Sequence, residues 1–175
     1  VRNIPGITRK TKNMKKVIFS IAIILGSFIA ANAQTSTATA TQTVTLILKN
    51  AISIDMTSAT GTNFSFDNTN DYQNGQTNTN ASSFTVKSNR PWAVTVNTTT
   101  ANFSGPAAPS ATMPASVLGV RLNGGSAFAS LSNSAQALTA GGRGNGSFSI
   151  DYTANPGYVY DAGTYTISVV YTATQ

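Results

Sequence analysis

The chain has 175 residues, with 11 Lys+Arg against 5 Asp+Glu, no His, and a formal net charge of +6. Charged residues are only 9% of the chain, and neither Cys nor Glu occurs. That composition excludes a disulfide scaffold, a thiol enzyme, a Cys/His zinc site, a histidine base and a Glu general acid. It is also too sparsely charged to build the dense Lys/Arg face of a nucleic-acid binder.

The positive charge sits at the front. Arg2, Arg9, Lys10, Lys12, Lys15 and Lys16 precede an apolar run over residues 17–30, which ends in Ala31-Asn32-Ala33-Gln34. A basic region, a short apolar run and a small-x-small site make a secretory signal peptide. The run falls short of the roughly 20 apolar residues that a spanning helix needs. Residues 14–33 therefore read as the signal, with Ala31 and Ala33 in the peptidase site and Gln34 as the first mature residue. Residues 1–13, ahead of Met14, read as an over-extended start. With no Cys to acylate, a lipoprotein is not expected. Membrane contact is expected only through the signal before cleavage. The expected location is extracellular or on a bacterial cell surface. Beyond Gln34, Lys49, Lys87, Arg90, Arg121 and Arg143 are balanced by Asp55, Asp67, Asp71, Asp151 and Asp161. The mature chain is neutral, and no nucleic-acid partner is expected.

Residues 34–42 form a Thr-rich extension, with Thr at every odd position from Thr35 to Thr45. From Thr43 the apolar residues Val44, Leu46 and Leu48 occupy the alternate face. Two readings fit this segment. It is a Ser/Thr/Ala linker leading into the first strand of the domain, or it is a strand donated to a neighbouring subunit, with Thr41, Thr43, Val44, Leu46 and Leu48 carrying the contact. A Thr ladder that binds ice needs many parallel rows, which one strand does not supply.

Alternation recurs along residues 43–175. Ile52, Ile54 and Met56 alternate, followed by Phe64 and Phe66. Phe84 and Val86 come next, then Trp92, Val94 and Val96. Val117, Leu118, Val120 and Leu122 are less regular, and Phe128 and Leu131 are weak. Phe148, Ile150 and Tyr152 alternate cleanly, as do Tyr165, Ile167, Val169 and Tyr171. Asn74-Gly75, Asn123-Gly124 and Asn145-Gly146 predict turns with positive φ. Pro106, Pro109 and Pro114 mark a long connection. Gly141 to Gly146 and Asn155-Pro156-Gly157 read as loops. No helical period is visible, and residues 135–140 are the one stretch that accommodates a helical turn. Seven to nine short strands, each with one apolar face, predict an all-β fold: an antiparallel two-sheet Ig-like or Greek-key sandwich. Trp92 is expected between the sheets, with ligand stacking as its other reading.

The segment Asp161-Ala162-Gly163-Thr164-Tyr165-Thr166-Ile167-Ser168-Val169-Val170-Tyr171-Thr172 resembles the final strand of bacterial fimbrial and spore-coat-U-like secreted β-sandwich proteins. The resemblance implies an exported all-β domain and, for filament subunits, assembly by donor-strand exchange. The chain departs from many chaperone–usher pilins in having no Cys and in carrying four residues after Tyr171.

Chemistry is sparse. Asp67-Asn68-Thr69-Asn70-Asp71 offers hard oxygens of the kind calcium prefers, but Tyr72 stands where a calcium-binding loop needs Gly. Such clusters usually form turns. No carboxylate pair sits in a glycosidase motif, no G-x-S-x-G elbow occurs, and the Gly-rich 141–146 stretch lacks the Lys-Ser/Thr of a phosphate loop. Neither catalysis, a cofactor nor a metal is expected. The expected function is a structural subunit of a surface fibre or coat, forming a homopolymer or homo-oligomer. The competing expectation is an adhesion module for a glycan or surface ligand, using Tyr72, Tyr152, Tyr158, Tyr160 and Tyr165.

Overall fold

A computed structural model describes residues 36–106 and 111–175. The expected signal peptide and its cleavage residues Ala31, Ala33 and Gln34 lie outside the described residues. Two units are present, one ending at Leu46 and one spanning Ile47–Gln175, and among the described residues every helix and strand lies in the second.

Eight strands are described: β1 (Ile52–Ala59), β2 (Gln76–Ser88), β3 (Trp92–Thr98), β4 (Leu118–Leu122), β5 (Ala129–Ser130), β6 (Gln136–Gly141), β7 (Gly144–Ala154) and β8 (Val169–Thr174). They form a five-stranded sheet in the order β1-β2-β7-β4-β5 and a three-stranded sheet in the order β6-β3-β8. Every pairing between them is antiparallel. The result is an all-β, sandwich-like fold. Its core follows from the alternation. Phe84 and Val86 of β2, Val94 and Val96 of β3, Val120 of β4, and Ile150 and Tyr152 of β7 are all buried. Each is an apolar residue two steps from another, so a half-buried strand turns them all to one side. Leu131, which follows β5, is wholly buried and closes the β4–β6 side.

Trp92 packs with Val86 and Val94 in this core. Its ring lies over Gly141 of β6 and Gly146 of β7, where an added Cβ would come within 2.4 Å of Trp92 Cζ2 at either position. The two glycines thus have a packing role: no side chain fits between their backbones and the indole.

Several expectations need correction. No strand forms over Val44–Leu48; residues 36–51 contain no pairing, turn or bend, and the first strand is β1. Phe64 and Phe66 alternate but lie outside any strand, packing as half-buried side chains against the core. Tyr165 and Ile167 precede β8, with only an isolated bridge at Thr166 to Ser104. Residues 136–141 are strand β6 rather than a helical turn. The one α-helix among the described residues, α1 (Thr69–Asn74), falls in the Asp/Asn cluster instead. Asn145-Gly146 is no turn but part of β7, and the positive φ belongs to Gly144 at 105°. The positive φ at Gly75 (71°) and Gly124 (75°) is as expected, and Gly157, read as part of a loop, has φ 61° as well.

Candidate assembly surface

The residues assigned to strand donation form no built site. Thr41, Thr43, Val44, Leu46 and Leu48 are all exposed and belong to no strand. Leu46 and Leu48 are 82% and 88% exposed. Leaving a large aliphatic side chain in water forgoes about 1.5–3 kcal/mol relative to burial. The chain beyond them is anchored. Asn89 Nδ2 donates to Lys49 O at 2.7 Å, and Ala51 N–H donates to Asn89 Oδ1 at 3.0 Å. One asparagine in the turn between β2 and β3 therefore holds both sides of residue 50.

Two edge strands lie next to each other. β1 is the outer strand of the larger sheet and β8 the outer strand of the smaller. Ile52, Ile54 and Met56 pair with Ser88, Val86 and Phe84, so they share the inward face of β2. Their partners are buried, yet Ile52 is 38% and Met56 54% exposed. On β8 the inward residues Val169, Tyr171 and Ala173 are half-buried, whereas the facing β3 residues are fully buried. The backbone parity matches. Asn89 N–H donates to Ala51 O, and Thr99 N–H donates to Ser168 O. In an antiparallel ladder hydrogen-bonded pairs alternate with non-hydrogen-bonded ones. The N–H and C=O groups of Ile52, Ile54 and Met56, and of Val169, Tyr171 and Ala173, therefore face away from their sheets. Gln175 Nε2 joins the two edges at one end, reaching Ala51 O at 2.7 Å and Ser88 Oγ at 2.9 Å. Sequence reading did not find these edges, because alternation identifies inward residues but not which strands are left at an edge.

The charged and aromatic groups are engaged structurally. Asp151 on β7 is buried and accepts from Arg121 Nε at 2.9 Å, Asn123 Nδ2 at 2.7 Å and Asn80 N–H at 2.8 Å. Burial pushes its carboxyl up. The donors from Asn80, Asn123, Arg121 and Gly124 together outweigh that and hold it below the ordinary carboxylate range. Asn80 has φ 53° inside a bulge of β2, so Asp151 fixes an irregular backbone. Arg121 also lies over the Phe128 ring at 4.2 Å. Tyr152 and Tyr171 join the two sheets through a bond between their hydroxyls. Burial pushes both hydroxyls up, and their proximity adds to the effect at Tyr171.

The Asp67–Asp71 cluster is a helix cap. Asn68 Oδ1 accepts from Asn70 N–H and Asp71 N–H, while Asp71 Oδ2 accepts from Asn68 N–H, a reciprocal capping box. Among the described residues no three His, Cys, Asp or Glu side chains group to hold a metal.

Of the five tyrosines, Tyr72 and Tyr158 stack at 5.7 Å, with Phe66 beside Tyr72 at 5.4 Å. Tyr160 packs edge-on against Tyr165, whose hydroxyl donates to Asp161 O. The structure thus divides them into the buried Tyr152 and two separate pairs. Compared with known proteins, the chain matches no family model and none of the curated proteins.

Proposed function

We propose that the protein is a secreted, non-enzymatic structural subunit of a bacterial surface fibre or coat, which assembles by β-strand addition. The observation that carries this reading is the segment Thr41–Leu48. It has the period-two apolar pattern of a strand, forms no strand in its own chain, and exposes Val44, Leu46 and Leu48. A segment of this kind gains main-chain bonds and apolar burial by pairing with a sheet edge on another molecule. The basic and apolar leader ending at Ala33 supports export. The neutral charge of residues 34–175 supports association, since it removes the repulsion that keeps proteins apart. Edges almost free of Lys and Pro do the same. An Ig-like, Greek-key arrangement is the finer fold assignment, supported by the placement of β7 between β2 and β4.

The test is the assembly state of residues 34–175 by size exclusion and negative-stain microscopy, beside Leu46→Asp. The expected result is fibres or ladders for the parent chain and monomer for the variant. A monomeric parent chain would sink the proposal.

The second reading, a glycan or adhesion module, rests on the Tyr72–Tyr158 stack, because Tyr158 is exposed while its hydroxyl is held by Thr69 O. A glycan array probed with the parent chain and Tyr158→Ala tests it. Binding lost in the variant supports it, and no binding by the parent chain removes it.

A further inference from the structure

We infer that the β-domain has a basic end and an opposite acidic, aromatic end, and that the basic turns of one copy dock on the exposed Tyr158 ring and carboxylates of a second. This contact is separate from strand addition and does not depend on it.

The neutral sum of residues 34–175 conceals a segregated charge. Lys87 stands one residue before the end of β2, paired with Ser53 of β1 and Asn145 of β7. Arg90 lies in the turn from β2 to β3, and Arg143 in the turn from β6 to β7. Ser88 pairs with Gly144 and Trp92 with Gly141, so these two turns run side by side. Lys49 joins them, because its carbonyl oxygen accepts from Asn89 Nδ2 in the first turn. All four cations are exposed, and none forms an ion pair with a described residue.

At the far end of the same two strands, Gln76 pairs with Ala154. The helix α1 leads into Gln76 and carries Asp71, with Asp67 just ahead of it. Tyr158 follows β7, and its hydroxyl donates to Thr69 O at 2.6 Å. Asp161 lies on the same connection. The segments 60–75, 99–117 and 155–168, which lead into or away from the strands at this end, contain no Lys or Arg. β2 has 13 residues, which at ~3.3 Å each separates the two ends by roughly 40 Å. That is several Debye lengths at physiological salt, so neither end cancels the field of the other.

The occupant follows from complementarity. Tyr158 is 64% exposed, with one face stacked on Tyr72 and its hydroxyl fixed on Thr69 O. A ring held this way can take a guanidinium on its free face, as Phe128 takes Arg121 at 4.2 Å within the chain. Asp67 and Asp71 add attraction for a cation beside it. The matching cations are on the chain itself, roughly 40 Å away, where only another molecule can bring them to the ring. Basic end against acidic end is a heterologous contact, so each copy keeps one end free and the row continues. Complementary charge of this kind sets orientation and encounter rate more than final affinity.

The test uses residues 34–175 carrying Leu46→Asp, which the strand-addition reading makes monomeric at ordinary salt. Sedimentation velocity is compared at about 0.01 M and about 0.15 M salt, where the Debye length is about 30 and about 8 Å. Self-association is expected at the lower salt and should weaken at least about tenfold at the higher. On this background Arg90→Glu with Arg143→Glu cancels the basic end, and Asp67→Lys with Gln73→Lys cancels the acidic end. All four positions are exposed, and Trp92 fluorescence reports whether the fold survives. Each variant alone should be monomeric at low salt. The two mixed should form a one-to-one dimer that grows no further, because one intact end of each kind remains. Tyr158→Ala should weaken the contact about two- to fivefold. Low-salt association unchanged by either pair of substitutions, or no dimer on mixing, overturns the inference. So does a chain that stays monomeric at low salt, and capture of dextran sulfate by that monomer would assign the basic end to a foreign polyanion. Fibres formed by Leu46→Asp at about 0.15 M salt refute strand addition instead, so the two readings fail separately.

Discussion

Asp151→Asn removes one charge from a buried cluster and leaves its shape nearly unchanged. The carboxylate is 1% exposed, while the Arg121 side chain opposite is 23% exposed. Breaking a fully buried ion pair costs about 3–5 kcal/mol, because one charge is left buried without a partner. Here Arg121 regains some water, and an Asn oxygen at the Oδ1 position still accepts from Asn80 N–H and Asn123 Nδ2, while the amide NH2 that replaces Oδ2 meets Arg121 Nε–H donor to donor. The expected loss is therefore about 2–3 kcal/mol at neutral pH. The pH dependence has a definite sign. The folded carboxyl sits below its ordinary value. Its contribution is thus fully present above the unfolded pKa of about 3.9 and is lost as pH falls through the folded value. The gap between parent and variant should be wide at pH 7 and shrink below about pH 4. Urea unfolding of both chains, followed by Trp92 fluorescence, measures it as a lowered midpoint at unchanged slope. A variant within about 0.5 kcal/mol of the parent at pH 7, or a gap that persists undiminished at pH 2, would refute the account of Asp151 as a charge-dependent clamp.

Gly141→Ala places a methyl 2.4 Å from Trp92 Cζ2, so it should destabilise by about 1–3 kcal/mol through overpacking and shift the indole emission. An unchanged spectrum and midpoint would show that the ring gives way freely. Tyr171→Phe leaves the buried Tyr152 hydroxyl without its partner across the sheets, an expected loss of about 1–2 kcal/mol in thermal or denaturant unfolding. Asn68→Ala removes the side-chain acceptor of the capping box, and about 1 kcal/mol should go with it. Faster hydrogen exchange confined to residues 69–75 would locate that loss, whereas no local change would argue that α1 is held by other contacts.

The clean alternations at Phe84/Val86, Trp92/Val94/Val96 and Ile150/Tyr152 could be read directly, because a strand's side-chain period is local and needs no knowledge of neighbours. The positive φ at Gly75 and Gly124 was equally legible, since it is a property of one residue. Val44/Leu46/Leu48 and Phe64/Phe66 carry the same pattern and form no strand. Alternation permits pairing, but only a neighbour's backbone completes the hydrogen bonds that make a strand. Gly146 misled in the opposite way, for its small size serves the Trp92 ring rather than a turn. Asp151 gave no signal either. Its partners Asn80 and Arg121 lie 71 and 30 residues away, and only the sheet order brings them together. By itself the sequence determined the strand period, the inward residues and the neutral character of the chain beyond Gln34, all of which are local or summed properties. Only the tertiary structure decided that five strands face three, and so which edges are left open. That outcome depends on pairings between residues distant along the chain, such as Ile54 with Val86 and Val94 with Ala173.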